Sequence, residues 1–135
     1  MRRIARSGKE TVRGHDTNRR GEMEPFRKVK RLRILVGQQE KWHGQPLYEA
    51  IVRLAQQQGL AGATCLKGCF GFDPNGRLQT VKPLQLSEDL PITIEIVDSE
   101  ERINRFLPQI SGMINDGSVS ITDTLMARTD GAKTA

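Results

Sequence analysis

The sequence predicts an α+β fold of order βαββαβ: a four-stranded antiparallel sheet with two helices on one face, the ferredoxin-like arrangement. Three observations predict it. Apolar residues alternate with period two near Leu32–Val36, Leu90–Val97 and Val119–Ile121. Two other stretches, Leu47–Ala55 and Ile103–Ile110, repeat at helical spacing instead. Glycine and turn residues punctuate the sequence at Gly37, Gly59, Asp73–Gly76 and Asn115–Gly117.

The domain starts near Val29. In the first strand Leu32, Ile34 and Val36 alternate with Arg31, Arg33 and Leu35, and Gly37 ends it. Pro46 suits a first helical position, because its missing N–H is an orphan there anyway. Leu47, Ala50, Ile51, Leu54 and Ala55 give that helix its apolar face, and Gly59 suits a helix C-cap. Ala61–Leu66 is small and apolar enough for a buried strand, so a second strand is expected over Ala61–Phe70. Leu90–Val97 reads as the third strand. Asp98-Ser99-Glu100-Glu101 starts a helix with acids in its first turn, where the helix dipole favours them. Ile103, Phe106, Leu107 and Ile110 form its apolar face, and Pro108 is expected to kink or shorten it. A fourth strand follows the Asn115-Asp116-Gly117 turn, and its alternation breaks at Asp123. A sheet this small with an apolar second face often buries that face by oligomerising.

A chain of 135 residues allows one domain with a tail. The charge is uneven. Residues 1–33 hold twelve Lys/Arg against four Asp/Glu, whereas residues 34–135 hold nine against twelve. The net +5 therefore belongs to the N-terminal stretch, and the folded body is mildly acidic. Residues 1–28 read as a basic, disordered extension, because they have too few apolar residues to offset the entropy of ordering. Residues 29–128 read as the domain and 129–135 as a flexible C-terminal tail. Met23 is a second candidate for the translation start. Without an apolar leader or a span of roughly 20 apolar residues, the expected location is the cytoplasm. The basic arm lacks aromatic interleaving, so no nucleic-acid partner is expected.

Function is expected around Gly59–Arg77, where a strand runs into a glycine-rich polar loop. Gly68, Gly71 and Gly76 either shape a ligand cleft or satisfy turns and a bulge. Trp42 either stacks on a base or anchors packing, and His43 reads as a capping or hydrogen-bonding residue. Cys65 and Cys69 read as structural or incidental thiols, since no further ligands stand near them in sequence. Glu88-Asp89 and Glu100-Glu101 read as loop and helix-start charges. With no nucleophile, base or carboxylate pair placed for chemistry, the chain reads as a binding module rather than an enzyme. No catalytic residue, metal or cofactor is assigned.

Four blocks carry a family resemblance: KWHGQPLYEAIV (Lys41–Val52), GLAGATCLKGCFGF (Gly59–Phe72), LSEDLPITIEIVDSEERI (Leu86–Ile103) and NDGSV (Asn115–Val119). In this order they resemble the domain of unknown function 190 family, also called uncharacterised protein family 0166, over roughly Val29–Arg128. The same blocks look like a distant version of the nitrogen-regulatory PII signalling proteins. Those are ferredoxin-like homotrimers that bind adenine nucleotides between subunits and present a long, mobile loop after the second strand.

The resemblance implies a PII-like sensor with its loop at 72–82. It also implies a protein partner such as a membrane transporter or an enzyme. The ligand site it implies comprises Lys67, Gly68, Gly71, Arg77, Lys82, Gly117 and Arg128. Arg128 either meets a phosphate at a subunit boundary or is a solvated strand-end residue. The chain departs from the PII pattern between Pro108 and Ser118, which lacks Lys and Arg; Ser118 stands where PII has lysine. Phosphate would then lean on backbone N–H groups and on Lys67, Arg77, Lys82 or Arg128. The loop also has no tyrosine to accept a modification. The alternative is a ligand-independent adaptor.

Overall fold

The computed structural model describes residues 25–81 and 89–129. The expected N-terminal extension up to residue 24, the tail from residue 130 and Lys82 lie outside the described residues. The chain divides into two compact units. One is Lys30–Asp123; the other comprises, among the described residues, 25–29 and 124–129.

The elements are β1 (Arg27–Gly37), β2 (Lys41–Trp42), β3 (Gln45–Pro46), α1 (Leu47–Gln57), β4 (Thr64–Lys67), β5 (Phe70–Phe72), β6 (Leu78–Thr80), β7 (Pro91–Asp98), α2 (Glu100–Ser111) and β8 (Ser118–Met126). The main sheet has the order β4-β7-β1-β8. Antiparallel pairing sets Ile34 opposite Ile94 and Leu66 opposite Thr93. The βαββαβ core of the expected fold is present, and two small hairpins, β2–β3 and β5–β6, are added to it.

Period-two alternation decides which face is buried. Leu32, Ile34 and Val36 of β1 and Ile92, Ile94 and Ile96 of β7 point into one core. Leu47, Ala50, Ile51 and Ala55 of α1 and Ile103, Phe106 and Ile110 of α2 close it. Each fully buried Ile or Leu there contributes roughly 1.5–3 kcal/mol through burial.

Helix ends follow local chemistry. Gly59 takes φ +77°, and its N–H and that of Leu60 bond back to Gln56 and Ala55 carbonyls. These two bonds satisfy carbonyls that the helix end leaves without partners. Ser99 caps α2 by accepting a bond from the Arg102 N–H at 3.3 Å. The helix runs through Pro108 to Ser111 rather than stopping there. Pro46 is the residue before α1, not its first helical residue.

Two strand expectations need correction. The second strand is not buried: Thr64, Cys65, Leu66 and Lys67 are all exposed, because among the described residues β4 is an edge strand paired only with β7. Nor is it continuous to Phe70. The Gly68 N–H bonds to the Pro91 carbonyl at 2.7 Å, where β7 begins, so among the described residues β7 offers no partner beyond it. The chain then pairs with β6 instead, setting Phe72 opposite Leu78. The segment expected to be a loop therefore contains a hairpin. Conversely, β8 continues through Asp123, which forms an ion pair with Lys30.

Among the described residues, no element covers the face of the sheet opposite the helices. Leu66, Thr93 and Leu35 form one row across it; Thr64, Glu95 and Arg33 form the next. Arg33 Nε meets Glu95 at 2.9 Å, while buried Arg31 Nε reaches it only at 3.6 Å and has no hydrogen-bond partner among the described residues. Leu35 and Leu66 are exposed, as are Val119 and Ile121 of β8.

Candidate functional site

A cleft of about 570 Å³ lies where β1 ends. Leu35–Gly37 and Pro91 line it together with the hairpin residues Gly71–Pro74, Arg77 and Gln79. Gln39–Lys41, Asp89 and the Asn115–Ser118 turn complete it.

Close backbone approach builds this cleft. A Cβ on Gly117 would lie 2.3 Å from the Leu35 carbonyl oxygen, so only glycine lets the turn rest on the end of β1. Gly68 is similarly crowded, with a Cβ position 2.7 Å from the Pro91 ring. The loop after β1 is tied to the start of β7. Gln38 N–H donates to the Leu90 carbonyl at 2.9 Å, and Leu90 N–H donates to the Gln38 side chain at 3.2 Å. Hairpin alternation turns Gly71 and Gln79, an opposed pair, toward the cleft. It leaves Phe72 and Leu78, also opposed, 72% and 61% exposed.

The cleft has mixed charge. Lys41 and Arg77 face four carboxylates: Glu40, Asp73, Asp89 and Asp116. Three of these accept backbone bonds. Glu40 takes the Gly37 N–H at 3.0 Å, and Asp89 takes the Gln39 N–H at 3.3 Å. Asp73 Oδ1 takes the N–H groups of Asn75 and Arg77 at 2.9 and 2.8 Å, while its Oδ2 meets Arg77 Nε at 3.1 Å. The Arg77 N–H, then its guanidinium and the Asn75 N–H, hold the Asp73 carboxyl below its ordinary range.

Of the residues assigned from sequence, Gly71, Arg77 and Gly117 meet in this cleft. Lys67 and Gly68 stand outside it, at and just beyond the end of β4. Gly76, at φ +81°, serves the hairpin turn. Arg128 belongs to the smaller unit. Trp42 packs against the core and stacks on His43 at 4.3 Å, and His43 and Gly44, both at positive φ, make the tight β2–β3 turn. Cys65 and Cys69 are free thiols; partial burial, with Glu49 adding, pushes the Cys65 thiol up, away from a reactive thiolate. Among the described residues, no group of three or more His, Cys, Asp or Glu is arranged to hold a metal ion. Nor, among them, is any helix long and apolar enough to cross a membrane.

Sequence reasoning missed Glu40, Gln79, Asp89, Pro91 and Asp116 as cleft residues. Gln79 carried no signal of its own, since Thr80 beside it is polar too and only the pairing of β5 with β6 turns it toward the cleft. The others reach the cleft through folding of distant loops, which no local spacing records.

An antiparallel sheet backed by two helices, with a hairpin and a glycine turn flanking a cleft at its end, is the PII-like fold. Solved structures of this class align with it. The nitrogen regulatory PII-like protein CPII from Thiomonas intermedia K12, bound to ADP, AMP and bicarbonate, aligns with a TM-score of 0.58 at 23% identity, covering 76% of this chain and 92% of that one. A putative PII-like signalling protein from Thermus thermophilus aligns with a TM-score of 0.51 at 15% identity, covering 80% and 96%. More particularly, residues 29–126 match the family DUF190, described as Uncharacterized ACR, COG1993, and the chain belongs to that family. A UPF0166 protein from Aquifex aeolicus is 36% identical over 96 residues, covering 71% of this chain and 90% of the relative. One from Methanocaldococcus jannaschii is 38% identical over 97 residues, covering 71% and 89%.

Proposed function

We propose that this protein is a cytoplasmic PII-like sensor, a homotrimer that binds an adenine nucleotide between its subunits. The reading rests chiefly on one observation: Leu35 belongs both to the open face of the sheet and to the lining of the cleft. A neighbouring copy that covers the open face therefore also walls the cleft. This suits a site completed by a second subunit. The structure of CPII bound to ADP and AMP supports the choice of adenine nucleotides as ligands. In this reading the ligand lies against the Gly117 turn and Arg77, and no bond is made or broken. Lys67 and Gly68 then belong to the wall that a neighbouring copy completes. Binding selects one state of the 72–82 loop, and that loop engages a protein partner such as a membrane transporter or an enzyme. The ligand can act only through a difference in affinity for the two loop states.

A second reading is favoured by the exposed Phe72–Leu78 pair: a ligand-independent adaptor that docks through this apolar hairpin face. Light scattering on the full chain separates part of the question. A mass of three 15.1 kDa chains is expected, and a monomer at micromolar concentration would remove the inter-subunit site. Partner capture with and without ADP separates the rest. A yield that changes with ADP supports the sensor; an equal yield supports the adaptor.

A further inference from the structure

We infer that Asp73 is an internal competitor for the anion site: its carboxylate occupies Arg77, and an anionic ligand must take the guanidinium from it. The inference deepens the nucleotide reading above and rests on it. Both side chains line the cleft. Arg77 Nε donates to Asp73 Oδ2 at 3.1 Å, and the Asp73 side chain is 13% exposed whereas that of Arg77 is 67% exposed. The acid is thus the fixed partner and the guanidinium the movable one. Asp73 Oδ1 independently holds two backbone N–H groups, so the turn keeps its anchor after Arg77 leaves. An exposed ion pair is weak, and a phosphate presents a guanidinium with equivalent geometry and more charge. Transfer of Arg77 from Asp73 to a ligand phosphate is therefore cheap, but it subtracts from ligand affinity.

This arrangement makes Asp73 a residue that sets specificity. It penalises ligands that lack a group strong enough to displace it, and it does so at the cation that the hairpin supplies to the cleft. Asn at position 73 would keep a carbonyl oxygen for the backbone N–H groups while removing the charge that holds Arg77.

Calorimetric titration of the full chain with ADP tests this in a four-protein cycle: wild type, Asp73→Asn, Arg77→Ala and the double variant. The expected result is up to about fivefold tighter binding in Asp73→Asn, the range set by an exposed ion pair. Weaker binding is expected in Arg77→Ala, with little further effect of Asp73→Asn in that background. Asp116→Asn serves as the charge control, because it removes another cleft carboxylate without touching the pair. Its effect should be the same with and without Arg77. Amide spectra of Asn75 and Arg77 report whether the turn survives each change. If Asp73→Asn tightens binding equally with and without Arg77, or leaves it unchanged while wild type binds, the competition is overturned and the nucleotide site stands. If ADP gives no heat with any of the proteins, the nucleotide reading falls and the inference with it.

Discussion

Gly117 and Asp73 show how single residues shape the cleft by different means. Gly117 acts by absence: any side chain would collide with the Leu35 carbonyl oxygen at 2.3 Å. Gly117→Ala must displace the turn or bend β1, and overpacking of this kind costs about 1–3 kcal/mol. A lower urea midpoint in chemical denaturation, with an unchanged slope, is the expected result. The turn itself was legible in Asn115-Asp116-Gly117, but the reason for its glycine was not. That reason is a contact with a strand far away in sequence, and only the folded sheet brings the two together.

At the scale of elements, the hairpin β5–β6 replaces an expected open loop. Its tip is organised by Asp73, whose carboxyl is held below its ordinary value of 3.8 by Arg77 and Asn75. The sign follows from linkage. A depressed folded-state pKa stabilises the turn fully above the ordinary carboxylate pKa, and this is lost as pH falls through the lowered value. The amide shifts of Asn75 and Arg77 should therefore stay constant from about pH 7 to about pH 4 and move only below that. A midpoint above the ordinary carboxylate value would contradict the anchoring role of Asp73. The strands and helices with strong periodicity were readable because one buried face dictates their pattern: Leu32, Ile34 and Val36 of β1, Leu47, Ala50, Ile51 and Ala55 of α1 and Ile103, Phe106 and Ile110 of α2 all lie in the core. Ala61–Leu66 misled because its small, apolar composition resembles a buried strand, yet an edge position leaves Thr64, Cys65 and Leu66 exposed. Burial there depends on what stands beside the strand, which composition does not encode. The Phe70–Thr80 hairpin went unread for a related reason: Phe72 and Leu78 pair with each other on an exposed face, so no core imposed a pattern.

At the scale of the molecule, the open sheet face and the cleft share Leu35, so in the proposed reading assembly and ligand binding meet at one position. The face carries exposed Leu35 and Leu66 beside the Arg33–Glu95 pair, a mixture of apolar and charged groups suited to pairing with another copy. Leu66→Glu places a charge on this face without touching the helix-side core or the lining of the cleft. The expected result is a folded, monomeric chain with an unchanged far-ultraviolet spectrum. In the proposed reading a second subunit completes the cleft, and the same variant should then also lose nucleotide.

The most direct test of an inter-subunit nucleotide sensor is a calorimetric titration of the full chain with ADP, run in parallel on wild type and on Leu66→Glu. Saturable heat at about one ADP per chain in the wild type, absent in the monomeric variant, is the predicted result. No saturable heat from the wild type, or equal binding by the monomeric variant, would contradict it.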